Sequence, residues 1–111
     1  MSQAIRKFEI PKGQRVFAIE MPNGAQFRYF SVQGDCPCMW FEVNPGRAIS
    51  TRQFHLIGTG LEFVNDATRP LNYIGSFQVP VDGSNAFLML ASGAVPQSTF
   101  VFHIYEEIQN V

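Results

Sequence analysis

The run Gly34-Asp35-Cys36-Pro37-Cys38-Met39-Trp40-Phe41-Glu42-Val43 constrains the fold more than any other part of the chain. It passes from a turn into a nearly continuous apolar strand, and it holds both cysteines and the only tryptophan. Large rings bury large areas, so neighbouring strands are expected around Met39, Trp40 and Phe41.

The remaining segments repeat a period of two between turn signals. Ile5 to Ile10 places Arg6, Phe8 and Ile10 on its core face. Arg15 to Met21 sets Arg15, Phe17, Ile19 and Met21 against Val16, Ala18 and Glu20. Pro22-Asn23-Gly24 reads as a tight hairpin, because Asn-Gly favours positive φ. Ala25 to Gln33 follows, with Phe27, Tyr29 and Ser31 opposed to Arg28, Phe30 and Val32. Asn44-Pro45-Gly46 ends the fourth strand, and Thr51 to Ile57 opposes Gln53, His55 and Ile57 to Arg52, Phe54 and Leu56.

Leu61 to Leu71 is longer than most connections, which marks it as functional or mobile. Tyr73 to Val79 is a sixth strand, in which Gly75 implies a bulge or a close backbone approach. Ala86 to Ala91 reads as a short buried strand after the turn Pro80 to Ser84, and Gly93 to Gln97 as a further break. Thr99 to Tyr105 sets Phe100, Phe102 and Ile104 against Val101, His103 and Tyr105. Eleven phenylalanines, nine glycines and seven prolines agree with this reading. Seven to eight short strands without an amphipathic helix imply an all-β fold, an antiparallel β-sandwich or a small barrel. At 111 residues the chain is expected to be a single β domain over 1–111.

Composition limits function. A net charge of −1 without a basic run argues against binding extended nucleic acid. No apolar segment reaches the ~18 residues of a membrane span. Met1 to Lys7 lacks an apolar signal core, so a soluble, cytoplasmic protein is expected. A bridge between Cys36 and Cys38 would be strained across one residue, so free thiols are expected.

Catalytic readings find little support. Cys36, Cys38, His55 and His103 assemble into a zinc site only on paper, because their spacing is wrong for one. A cysteine nucleophile would need His55 or His103 to approach across the sheet. Asp35, Glu42, Glu62, Asp66 and Asp82 mostly fall at turns or strand ends. Gly58-Thr59-Gly60 opens no helix, which excludes a phosphate loop. No catalytic residue and no cofactor is therefore assigned.

Arginines and rings are more informative. Arg28, Arg47, Arg52 and Arg69 are the only lysines or arginines after Arg15. Guanidinium forks pair with phosphate or carboxylate and stack on rings. Tyr29, Trp40, Tyr73 and Tyr105 offer faces for a planar ligand. The bland alternative is that the arginines only cover aromatic surface.

Several phrases also belong together: Phe8-Glu9-Ile10-Pro11, Ile19 to Ala25, Val32 to Phe41, Phe54 to Gly60, Tyr73 to Gln78 and Phe100 to Glu106. In this order the chain resembles a family of small phage and prophage proteins known only as a domain of unknown function. The resemblance implies a phage accessory protein in the host cytoplasm, either an anti-defence protein or a minor virion component. The leading expectation is a non-enzymatic homo-oligomer that sequesters a small anionic ligand such as a cyclic nucleotide immune signal. Its candidate ligand-binding residues are Arg28, Trp40, Arg47, Arg52, His55, Arg69 and Tyr73. The alternative is a protein–protein module, part of a virion or an inhibitor docked on a host protein.

Overall fold

The computed structural model describes residues 2–34, 36–80 and 99–108. Seven strands run through them: β1 Ala4–Glu9, β2 Val16–Pro22, β3 Gln26–Gln33, β4 Cys36–Val43, β5 Ile49–Gly58, β6 Leu71–Pro80 and β7 Thr99–Glu107. They form two antiparallel sheets, a three-stranded one ordered β1-β4-β3 and a four-stranded one ordered β2-β5-β7-β6. Neither sheet closes on itself, so the fold is a sandwich and not a barrel. The expected strand at Ala86 to Ala91, the turn Pro80 to Ser84 beyond its first residue, and the break at Gly93 to Gln97 lie outside the described residues.

The apolar run is central, as its composition requires. β4 pairs with β1 on one side and β3 on the other, and Met39, Phe41 and Val43 are fully buried. Rings tie the layers together. Phe41 meets Phe54 of the opposite sheet at 6.2 Å, and Phe30 meets Phe77 at 5.2 Å. The expected core face of β1 is the observed one, and the alternations expected for β2, β5 and β7 each bury one side, with Ile10, Phe17, Met21, Phe54, Leu56, Phe102 and Ile104 buried.

Two expectations need correction. In β3 the pairing shifts between Phe27 and Tyr29, so Arg28 is an extra residue in the ladder. An inserted residue reverses the parity of all that follow. Phe27, Phe30 and Val32 therefore pack on the core, while Tyr29 is 61% exposed. The second concerns Pro22-Asn23-Gly24, which is a turn but not a hairpin. Ala25 N–H donates to Pro22 O at 3.2 Å, and Gly24 has φ +79°. Asn23 has no positive φ, whereas a type I′ hairpin turn needs it at both central residues. The turn thus carries the chain from one sheet to the other, since β2 pairs with β5 and β3 with β4.

Gly75 fulfils both readings of a strand glycine. The β6–β7 register shifts between Tyr73 and Gly75, and a Cβ at Gly75 would lie 3.0 Å from Cε2 of Phe30.

Candidate functional site

The seven candidate residues fall on three regions. Arg28 and Trp40 lie on the outer face of the three-stranded sheet. His55 and Tyr73 lie on the outer face of the other sheet, with Arg69 in the connection before β6. Arg47 and Arg52 both reach the β2–β3 turn. Arg52 Nη1 donates to Ala25 O at 2.6 Å, and Arg47 Nη1 lies 3.4 Å from where a Cβ of Gly24 would stand.

Arg52 points inward from β5 and is fully engaged. Its Nε and Nη2 fork onto the Glu106 carboxylate, the second bond at 2.7 Å. Nη1 also approaches Met21 Sδ at 3.3 Å, and the guanidinium carbon sits 5.3 Å from the centre of the Phe41 ring. Both ion-pair partners are mostly shielded, with side chains 19% and 15% exposed. The cavity there, of about 380 Å³, also meets Glu107. With Arg52 neutralised by Glu106, that cavity has no spare positive charge for an anion.

The outer face around β6 and β7 is likewise committed. Thr59 Oγ1 donates its one proton to Val101 O at 3.0 Å, so it must accept from His103 Nε2–H at 2.9 Å. His103 Nδ1 then accepts from Ser76 O–H at 2.7 Å, and Ser76 accepts from Tyr73 O–H at 2.7 Å. His55 Nε2 lies 3.1 Å from Glu107 Oε2. Phe63 and Tyr73 pack against Tyr105 at 4.9 and 5.4 Å. In the preceding loop, Asp66 accepts from the backbone N–H groups of Thr68 and Arg69, and the bonds from Thr68 hold its carboxyl below the usual range.

Arg47 differs from Arg28 and Arg52. The turn Asn44 to Arg47 is closed by Arg47 N–H to Asn44 O at 3.1 Å and Gly46 N–H to Asn44 Oδ1 at 3.0 Å. Among the described residues its guanidinium has no hydrogen-bond or ion-pair partner. It borders a recess of about 230 Å³ lined by Gln3, Asn23, Gln26, Asn44 and Glu42. The single carboxylate there, Glu42, is already held by Arg28 Nε at 3.2 Å, while Arg28 Nη2 donates to Gln26 at 2.6 Å. Two strand positions from Glu42, on the same face, stands Trp40, with the Tyr29 ring 5.9 Å away. The structure therefore gathers Arg28, Trp40 and Arg47 around Glu42 and separates them from His55, Arg69 and Tyr73.

The cysteines lie elsewhere. Cys36 and Cys38 are free thiols on the outer side of β4, and His55 and His103 project from the opposite side of the sandwich, so the four cannot share a metal. Burial, reinforced by Cys38, pushes the Cys36 thiol from 9.0 up to about 11.

The amides of the recess, Glu42 and the Tyr73–Ser76–His103–Thr59 chain were not legible as site residues. Asn23 and Asn44 carried a signal, since each sits in a turn that passes between the sheets, and Asn23 N–H donates to Ala48 O at 2.8 Å beside Arg47.

Fold and recess together give an all-β sandwich that carries, among the described residues, a polar depression holding Arg47 and Glu42. The chain belongs to the family described as domain of unknown function DUF7352, which matches residues 1–90. All of the recess residues lie within that match, whereas His103 and Glu106 lie beyond it. No curated protein and no solved structure matches the chain. Among the described residues no helix is long and apolar enough to cross a membrane.

Proposed function

We propose that the domain is a binding module, not a catalyst, for a compact anionic ligand that carries a planar ring. The observation that supports this is the uncommitted Arg47 guanidinium beside four side-chain amides, in a recess whose carboxylate is neutralised by Arg28. A phosphate there takes a charge-assisted fork from Arg47 and hydrogen bonds from the amides of Gln3, Asn23 and Gln26. Trp40, about 7 Å along the strand from Glu42, offers a ring face at the distance that separates phosphate from base in a nucleotide. The recess is large enough for one phosphate group and its neighbours, so the remainder of the ligand rests on the outer face beside Trp40 and Tyr29.

A nucleotide signal is the ligand that suits this pairing of charge and ring. The resemblance to small phage and prophage proteins favours an anti-defence role, in which a host immune signal is sequestered intact. Calorimetry against cyclic di- and trinucleotides and cyclic ADP-ribose isomers tests the reading. Binding of at least one, weakened roughly ten- to a hundred-fold in Arg47→Ala and with the ligand recovered intact, is expected; silence across the panel ends it.

A second reading rests on a different observation. Phe63 and Tyr73, 42% and 52% exposed, pack against Tyr105 on the opposite outer face, and Val64, next to Phe63 in the chain, is 60% exposed. Such a cluster favours a protein partner. Capture of a partner protein that Tyr73→Ser releases and Arg47→Ala retains would favour this reading over the first.

A further inference from the structure

Among the described residues, three of the four sheet edges are guarded. β1 carries Arg6, Lys7 and Glu9 within six residues. β3 is bulged at Arg28, and β6 is bulged before Gly75, where the Phe30 ring of β3 closes over it. Charges and bulges are the usual means by which edges avoid pairing with another chain. β2 has no bulge, one charge, Glu20, and a proline only at its last position, Pro22. It pairs with β5 in unbroken register from Val16 to Pro22.

The direction of its open hydrogen-bonding groups is fixed. Arg15 O accepts from Leu56 N–H at 2.7 Å, and Asn23 N–H donates to Ala48 O at 2.8 Å. Both contacts follow the β2–β5 register, so the odd-numbered residues spend their backbone groups on β5. The N–H and C=O of Val16, Ala18 and Glu20 therefore point away from the sheet, and all three residues are exposed. At the end of the strand Pro22 has no N–H to offer, which sets a limit to pairing.

We propose that this edge pairs antiparallel with β2 of a second copy, about a two-fold axis through Ala18. In that register Ala18 faces Ala18, and Val16 faces Glu20 of the other copy. Each facing pair exchanges two backbone bonds, so all the outward groups of Val16, Ala18 and Glu20 are satisfied at once. The two Glu20 carboxylates are kept apart, and each lies across from Val16, with Arg15 of that copy next in its chain. Side chains on the inner face stay on the inner face, so each core continues into the other. The two four-stranded sheets join into one of eight strands. Val16, half exposed in the single chain, is covered by the stem of Glu20. The pairing is isologous.

Two measurements on the full chain test this. Sedimentation should give the mass of two chains, reverting to one in Ala18→Lys, which sets two ammonium groups face to face. Circular dichroism of that variant should be unchanged, because Ala18 is exposed and spends no bond on β5. In wild-type protein, amide exchange at Ala18 and Glu20 should be slower than in the separated chain by about tenfold or more, and the protection should disappear on dilution. A single-chain mass at every concentration, a dimer that survives Ala18→Lys, or unprotected Ala18 and Glu20 amides within a dimer would each overturn the proposal. Should Ala18→Lys misfold, the wild-type exchange data decide alone.

Discussion

Arg52 and Arg47 flank the same turn and have opposite fates. Arg52 points between the sheets, where a charge without partners would be costly, and it is met by Glu106, Ala25 O and two aromatic faces. Arg47 extends from a loop into a polar recess, and the neighbouring carboxylate belongs to Arg28. Both residues are arginine and both seemed suited to grip an anion. Only the second has donors left to do so, because binding capacity depends on what the fold has not already used.

The largest test of this contrast is Arg52→Met. It should lower unfolding stability by about 2–3 kcal/mol, since Glu106 is left mostly shielded without its partner. Denaturant titration measures this. Ligand affinity, read by calorimetry on the folded fraction, should change little; a collapse of affinity with intact stability would reverse the roles assigned to the two arginines.

Arg47→Ala should do the opposite. A charge-assisted fork contributes about 1.5–3 kcal/mol, so affinity for a phosphate-bearing ligand should fall roughly ten- to a hundred-fold. Stability should stay within about 0.5 kcal/mol of the parent. Loss of stability larger than that would show Arg47 to be structural.

A smaller effect is expected from Glu42→Gln. Removing the carboxylate beside the recess should tighten anion binding about two- to five-fold, with a steeper salt dependence. Weaker binding would mean that Glu42 itself contacts the ligand.

The last test uses pH. Arginine stays charged throughout the accessible range, so neither region titrates through it. Cys36, at the far end of β4, does. Its folded value of about 11 stands above the ordinary 9.0, so the native state holds its proton more tightly than the unfolded chain does. That contribution is fully present below pH 9 and is lost as pH rises from about 9 to 11. Cys36→Ser should flatten the alkaline fall in stability over this window, and alkylation of Cys36 near neutral pH should be slower than that of an unfolded control.

Much of the fold was legible because burial acts through a period of two. The inner faces of β1, β2, β5 and β7 follow directly from alternation, and Gly75 announced its bulge. β3 did not follow, because aromatic groups on both sides of Arg28 gave alternation no means to place a one-residue insertion. The turn at Asn23-Gly24 was visible, but its destination was not. A tight turn fixes only local dihedrals, and whether two strands pair or part depends on which partners bury their faces better.

The site divides along the same line. Residue chemistry by itself nominated guanidinium and ring groups, and it correctly gave an all-β fold its apolar centre at β4. Tertiary structure alone decided that Glu106, far along the chain, would take up Arg52, and that Asn23 and Asn44 would meet around Arg47. Spare hydrogen-bonding capacity is a property of distances between remote residues. A linear pattern lists the donors, and only the packed layers determine which of them are already in use.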